Sequence, residues 1–237
     1  MQTLDLNSFF DQISYDWKKD EKLIEHICKF TKTRVNPTLA SIPFELSYGS
    51  EQTFLIKSIV EKYMAKTFFE IGTGRGTASY AVSSIPEIEE IHTLDIIPFH
   101  KKMNTAIGYS PAIASNKDLY DLISIEGKSK INFHQGTSNN FDIPSDNKMD
   151  ICFIDGNHSD PKIIIQDFLL CQKNLKKGGI IIWDDYTSKE HKVKQVVDTA
   201  IKRNPDTEST LIEFRGHLFD DSRKEKDSGI VLMKFGE

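Results

Sequence analysis

The chain has 237 residues, 38% of them hydrophobic and 27% charged, with a formal net charge of −5. That balance excludes a disordered or fibrous chain and is ample for one buried core. A mildly acidic total also lacks the positive field with which nucleic-acid binders displace counterions from phosphates, so no nucleic-acid partner is expected.

No run approaches the roughly 20 apolar residues that a membrane span needs, and Met1 to Phe10 carry no basic leader pattern. A cytoplasmic protein with no membrane partner is the expectation. The three cysteines, Cys28, Cys152 and Cys171, have neither disulfide-framework nor zinc-site spacing, and read as buried thiols.

In chain order, the first 32 residues read as helical, and Asn36-Pro37 and Pro43 then mark an extended loop. From Ser50 a helix is predicted, with Leu55, Ile56, Ile59, Val60 and Tyr63 on one face. Thr67 to Ile71 is a short apolar run, followed by a glycine-rich turn and a helix over 77–84. Further strands are predicted over 90–94, 130–134, 149–154 and 180–183. The stretch 99–129 is an insertion with some helix near 117–125. A helix begins at Pro161 and is expected to end on Gly178-Gly179. Val193, Val196, Val197, Ala200 and Ile201 define another helix, and 210–214 and 229–234 are the last two strands. They flank a charged loop, 220–227.

Strands alternating with helices imply βαβ units and an α/β, doubly wound, mostly parallel sheet of seven strands with helices on both faces. The last two strands lack an intervening helix and are expected to form an antiparallel pair at one edge. Residues 1–49 form an N-terminal helical or lid segment, and 50–237 the sheet domain. Ligands of such sheets bind beyond the carboxyl ends of the strands.

Glu70-Ile71-Gly72-Thr73-Gly74-Arg75-Gly76-Thr77 joins the first strand to its helix. Glycines there permit a tight turn and close approach of a ligand. The dinucleotide pattern G-x-G-x-x-G would place its third glycine where Thr77 stands, and Glu70 would repel a pyrophosphate. A carboxylate there suits a cofactor with an ammonium and a sulfonium, such as S-adenosylmethionine. Asp95, 19 residues after Gly76, ends the next strand and is placed to accept ribose hydroxyls.

Phe69 to Gly76 and Asp95 together resemble the class I S-adenosylmethionine-dependent methyltransferase superfamily. The resemblance runs from about Ser50 to the C-terminus. It implies strand order 3-2-1-4-5-7-6, a cofactor site over Glu70, Gly72, Thr73, Gly74, Gly76 and Asp95, and an adenine position along Gly136, Thr137 and Ser138.

Asp155 leaves the 149–154 strand and Asp184-Asp185 leave the 180–183 strand. Carboxylates converging there would repel unless a hard divalent ion, Mg²⁺ or Mn²⁺, joined them. The alternative is that they are turn and cap residues, as Asp160 before Pro161 is expected to be. The sequence Ile154-Asp155-Gly156-Asn157-His158 is similar to that of the metal-dependent natural-product and sugar O-methyltransferases, the macrocin O-methyltransferase-like branch. That resemblance implies Asp155, Asp184 and Asp185 as metal ligands, Asp155 also bordering the cofactor.

A small hydroxylated acceptor would lose its proton to His158, whose ordinary pKa lies near 6.5, with Asp155 the other catalytic candidate and Lys162 a weaker base. Phe44, Tyr48, Tyr109, Trp183 and Tyr186 are candidates for the acceptor pocket, and the helix start after Tyr48-Gly49 for the cofactor carboxylate. Three rival readings stand beside this one: a metal-independent methyltransferase with His158 as sole base, a non-catalytic S-adenosylmethionine-binding protein, and a nicotinamide dehydrogenase, which Glu70 and the glycine spacing disfavour. A homodimer is compatible with the N-terminal region.

Overall fold

The computed structural model describes residues 1–24, 51–74, 76–101, 115–121, 123–214 and 229–236. Eight strands form one sheet. They are β1 (Gln2–Asp5), β2 (Thr67–Ile71), β3 (Glu90–Asp95), β4 (Ile131–Gln135), β5 (Met149–Ile154), β6 (Leu175–Trp183), β7 (Glu208–Glu213) and β8 (Gly229–Lys234). Their spatial order is β1-β7-β8-β6-β5-β2-β3-β4. Read from the other edge, seven of them follow the order the resemblance implies. β8 runs antiparallel to both β6 and β7, and every other pairing is parallel.

The helices are α1 (Leu6–Ile13), α2 (Glu51–Lys62), α3 (Thr77–Ser83), α4 (Asn116–Tyr120), α5 (Ile125–Lys130), α6 (Pro161–Asn174) and α7 (Val193–Arg203). Successive strand residues face opposite sides of the sheet, so each central strand feeds two cores. Phe68, Ile151, Phe153, Ile180 and Ile182 meet α1, α2 and α3 on one face. Phe69, Cys152, Ile154, Ile181 and Trp183 meet α6 and α7 on the other. This explains why the strands read as continuous apolar runs rather than alternating ones.

The first correction concerns the N-terminus. Gln2–Asp5 is a strand, not helix, and it adds an eighth strand by pairing parallel with β7. Four residues are too few to show a period. The Asp5 side chain accepts from the Ser8 amide at 3.0 Å and caps α1, which buries Leu6, Phe9 and Phe10.

The second concerns Gly178-Gly179, which lie inside β6 and cap nothing. The helix α6 stops at Asn174 because Leu175 is already extended, and the Asn174 side-chain Nδ2 donates to the Leu170 carbonyl at 2.8 Å. Gly178 has φ +73°, and the β5–β6 register shifts between Met149 and Ile151, so the glycines serve an irregular strand start. The other predicted strands and helices from residue 51 onward are found near their expected places, with β6 beginning early, at Leu175; the loops expected at 36–43 and 220–227 lie outside the described residues. Among its described residues the insertion has α4 and α5 where one helical stretch near 117–125 was expected.

No helix among the described residues is long and apolar enough to cross a membrane. Cys152 and Cys171 are buried, as expected; Cys28 lies outside the described residues.

Candidate active site

The chain climbs β2, turns through the glycines, and goes out to β3 on one side. It comes back to β5 on the other. The switch point of the sheet therefore lies at Gly72, and the ends of β2, β3, β4, β5 and β6 line one rim.

Gly72 and Gly76 adopt φ of +90° and +82°. A Cβ on Gly72 would stand 1.9 Å from the Asp155 carbonyl oxygen, so the close approach of the two strand ends requires glycine there. The turn is tied at Gly72 N to Leu94 O (2.8 Å) and at Gly76 N to Thr73 O (2.6 Å). Beneath it, Glu70 is 2% exposed and accepts from Ser79 Oγ (2.5 Å) and Thr93 Oγ1 (2.6 Å). Burial pushes its carboxyl up to about 7, against the pull of those two hydroxyls.

Asp95 is buried at the end of β3. It accepts from the Gly74 amide at 2.9 Å through one oxygen and from the Ile97 amide at 2.8 Å through the other. It thus braces the glycine turn as well as facing the rim. From the insertion, Phe99 packs on Phe133 and edge-on to Tyr120, covering a cavity of about 20 Å³ beside Thr73 and Gly76.

Gly136 is held by its amide on the Asp95 carbonyl at 2.9 Å, which places Gly136, Thr137 and Ser138 next in the rim. Asp167 of α6, 2% exposed, reaches them: the Ser138 hydroxyl and the Asn157 amide both donate to it. Burial raises its carboxyl to about 6 despite those bonds.

The Asp155 amide bonds the Ile71 carbonyl (2.8 Å) and the Asp184 amide the Ile154 carbonyl (3.0 Å), so the ends of β2, β5 and β6 are pinned side by side. Burial and then the charges of Asp184 and Asp185 hold the Asp155 carboxyl well above the usual range, and Asp155 and Asp184 share a hydrogen bond. The three predicted acids are therefore brought together. Asp185 sits at φ +54°, a left-handed conformation that Asp tolerates better than most residues.

His158 lies between the acids, Nε2 3.4 Å from Asp155 Oδ1 and Nδ1 3.4 Å from Asp185 Oδ2. Burial lowers its pKa, which the Asp185 charge opposes and His191 reinforces. His191 stacks on the His158 ring at 4.9 Å, with Nδ1 3.0 Å from the same Asp185 oxygen. One ligand atom from each of His158, Asp185 and His191 lies within 4.8 Å of the others. Donors held about 2.1 Å from one ion stand about 3.0–3.4 Å apart in octahedral or tetrahedral sets, the range of the two imidazole spacings to Asp185 Oδ2.

Two residues here escaped sequence reasoning. His191 follows Asp185 by six positions of irregular loop, with no periodic signal. Asp167 did carry one: it interrupts the apolar face of Ile164, Phe168 and Cys171 at helical spacing.

Other expectations are corrected. Trp183 is fully buried against Phe168, and the buried Tyr186 gives its hydroxyl to Asp198 at 2.7 Å; the two pack into the core below the rim. Asp160, by contrast, caps α6 as expected, accepting from the Lys162 amide at 2.9 Å. Phe44, Tyr48, Arg75 and Tyr109 lie outside the described residues.

An open parallel sheet with a glycine turn at its switch point and acids on adjoining strand ends defines a Rossmann-like α/β protein with a nucleotide-type rim. Residues 69–186, about half of the chain and including every strand end just described, match the family described as Methyltransferase domain. The chain belongs to that methyltransferase family.

Among solved structures, the chain is similar to the O-methyltransferase TomG from Streptomyces achromogenes, involved in tomaymycin synthesis and solved with S-adenosylmethionine. The TM-score is 0.57 at 17% identity, over 90% of each chain. The rRNA methylase from Streptococcus thermophilus superposes with TM-score 0.52 at 10% identity, over 76% of this chain and 96% of that one. At such identities the likeness shows the fold, and it spans unlike acceptors. No curated protein matches the chain.

Proposed function

We propose that the chain is an S-adenosylmethionine-dependent O-methyltransferase acting on a hydroxyl of a small molecule, a sugar or natural product, with a divalent cation, Mg²⁺ or Mn²⁺, at the acidic rim. The carrying observation is the convergence of the glycine turn with Asp155, Asp184, Asp185 and His158 on adjoining strand ends.

Glu70 supplies a buried carboxylate beneath the turn for the cationic end of the cofactor. Gly72, Thr73, Gly74 and Gly76 let it approach the backbone. Asp95 has lone pairs left for ribose hydroxyls, and Gly136, Thr137 and Ser138 border the purine. Asp155, Asp184 and Asp185 would hold the cation, which lowers the pKa of an acceptor hydroxyl when bound. Asp155 and His158 are the groups that take the hydroxyl proton, and the rim aligns the oxygen with the methyl carbon.

Calorimetry with S-adenosylhomocysteine, with and without Mg²⁺, tests the cofactor class; no binding in either condition refutes it. Asp155→Asn should abolish cation-stimulated turnover of a sugar or phenol acceptor while sparing cofactor binding, and full activity in that variant refutes the cation's role. One observation favours a second reading, in which His158 alone is the base. Its ring lies between two carboxylates, 3.4 Å from each, which can orient it and stabilise the imidazolium it becomes. Undiminished activity after exhaustive chelation would select that reading.

A further inference from the structure

We infer that the rim takes a borderline transition cation of the Mn²⁺, Co²⁺ or Zn²⁺ type on a nitrogen-rich set, His158 Nδ1, Asp185 Oδ2 and His191 Nδ1, in preference to Mg²⁺. This deepens the metal-assisted reading above and rests on it for the ion's purpose; the binding itself stands on the donor set.

The two Nδ1 atoms converge on one carboxylate oxygen, at 3.4 and 3.0 Å. His191 Nδ1 is buried and makes no hydrogen bond of acceptable geometry, although that oxygen is only 3.0 Å away. A nitrogen and an oxygen that are close yet not aimed at each other are placed to share a third atom. The far nitrogen of His158 faces Asp155 Oδ1 at 3.4 Å. A carboxylate on the outer nitrogen of an imidazole is the usual device for fixing a metal-binding histidine in its tautomer.

The backbone holds the set in place. The Lys192 amide bonds the His158 carbonyl at 2.7 Å, joining the loop after β5 to the residue next to His191. The Ser188 amide closes the turn on the Asp185 carbonyl at 3.2 Å.

Two imidazoles and one carboxylate suit first-row transition ions, whereas Mg²⁺ prefers oxygen ligands and retained water. This set shares Asp185 with the acidic set proposed above and puts the two imidazoles in the places of Asp155 and Asp184.

The test uses the whole chain after chelator treatment, titrated in separate experiments with Zn²⁺, Co²⁺ and Mg²⁺, with neither methyl donor nor acceptor present. Zn²⁺ and Co²⁺ should bind about 100-fold more tightly than Mg²⁺. His191→Ala should weaken Co²⁺ binding by about 10-fold or more while leaving S-adenosylhomocysteine affinity unchanged. Electron paramagnetic resonance of the Cu²⁺-loaded wild-type chain should show hyperfine coupling to two imidazole nitrogens, and His191→Ala should leave one. Equal affinity for Mg²⁺ and Zn²⁺, or a spectrum with no nitrogen coupling, overturns the assignment, and the wild-type spectrum decides even if the variant misfolds. Failure of the methyltransferase reading would appear separately, as absent S-adenosylhomocysteine binding.

Discussion

Replacing Glu70 by Gln removes the buried carboxylate beneath the glycine turn, and the structure sets the size of the effect. Glu70 is 2% exposed, and its carboxyl is pushed from an ordinary 4.5 to about 7. The folded state therefore holds this proton more tightly than the unfolded chain does. The group's contribution to stability falls as pH rises from about 4.5 to about 7 and is level above that, a span of about 3 kcal/mol. A cofactor ammonium needs the ionised form, so binding must draw the proton off. About one-tenth of the carboxyl is ionised at pH 6 and about nine-tenths at pH 8, which predicts roughly tenfold tighter S-adenosylhomocysteine binding at the higher pH. Calorimetry across that window reads the slope directly. Glu70→Gln should bind more weakly and without the slope. An unchanged slope in the variant, or a flat wild-type profile, would refute the assignment of Glu70 to the cationic end of the cofactor.

The two turn glycines should differ sharply. Gly72→Ala drives a Cβ into the Asp155 carbonyl and should cost more than about 3 kcal/mol, whereas Gly74→Ala meets nothing within 4 Å and should cost about 1 kcal/mol, both by chemical denaturation. Asp167→Asn should abolish the fall in melting temperature that its raised carboxyl imposes between about pH 4 and 6; a wild-type slope in the variant would clear Asp167 of it. Phe10→Ala should lose about 3–5 kcal/mol, because the ring is 3% exposed in the core shared with α2; a surface-sized loss would show that α1 does not belong to the folding unit.

Much of this was legible from residue order. Thr67–Ile71, Met149–Ile154 and Gly229–Lys234 are found where apolar runs and flanking turns placed them. The convergence of Asp155 with Asp184 and Asp185 followed from placing acids at the ends of strands that proved to be neighbours. What failed did so for local physical reasons. A four-residue edge strand has no period to read, and Gly178-Gly179 look alike whether they end a helix or kink a strand, since both uses exploit the same permissive backbone.

By itself the sequence determined the elements, their alternation and which side chains leave each strand at the carboxyl rim, because these depend on neighbours a few positions apart. Only the tertiary structure decided that Trp183 faces the core, that Asp167 reaches across from α6 to Ser138, and that His191 comes back to Asp185 and His158. Those contacts depend on how helices and loops distant in sequence pack over the sheet. They are set by the shape of the two cores, which no local pattern encodes.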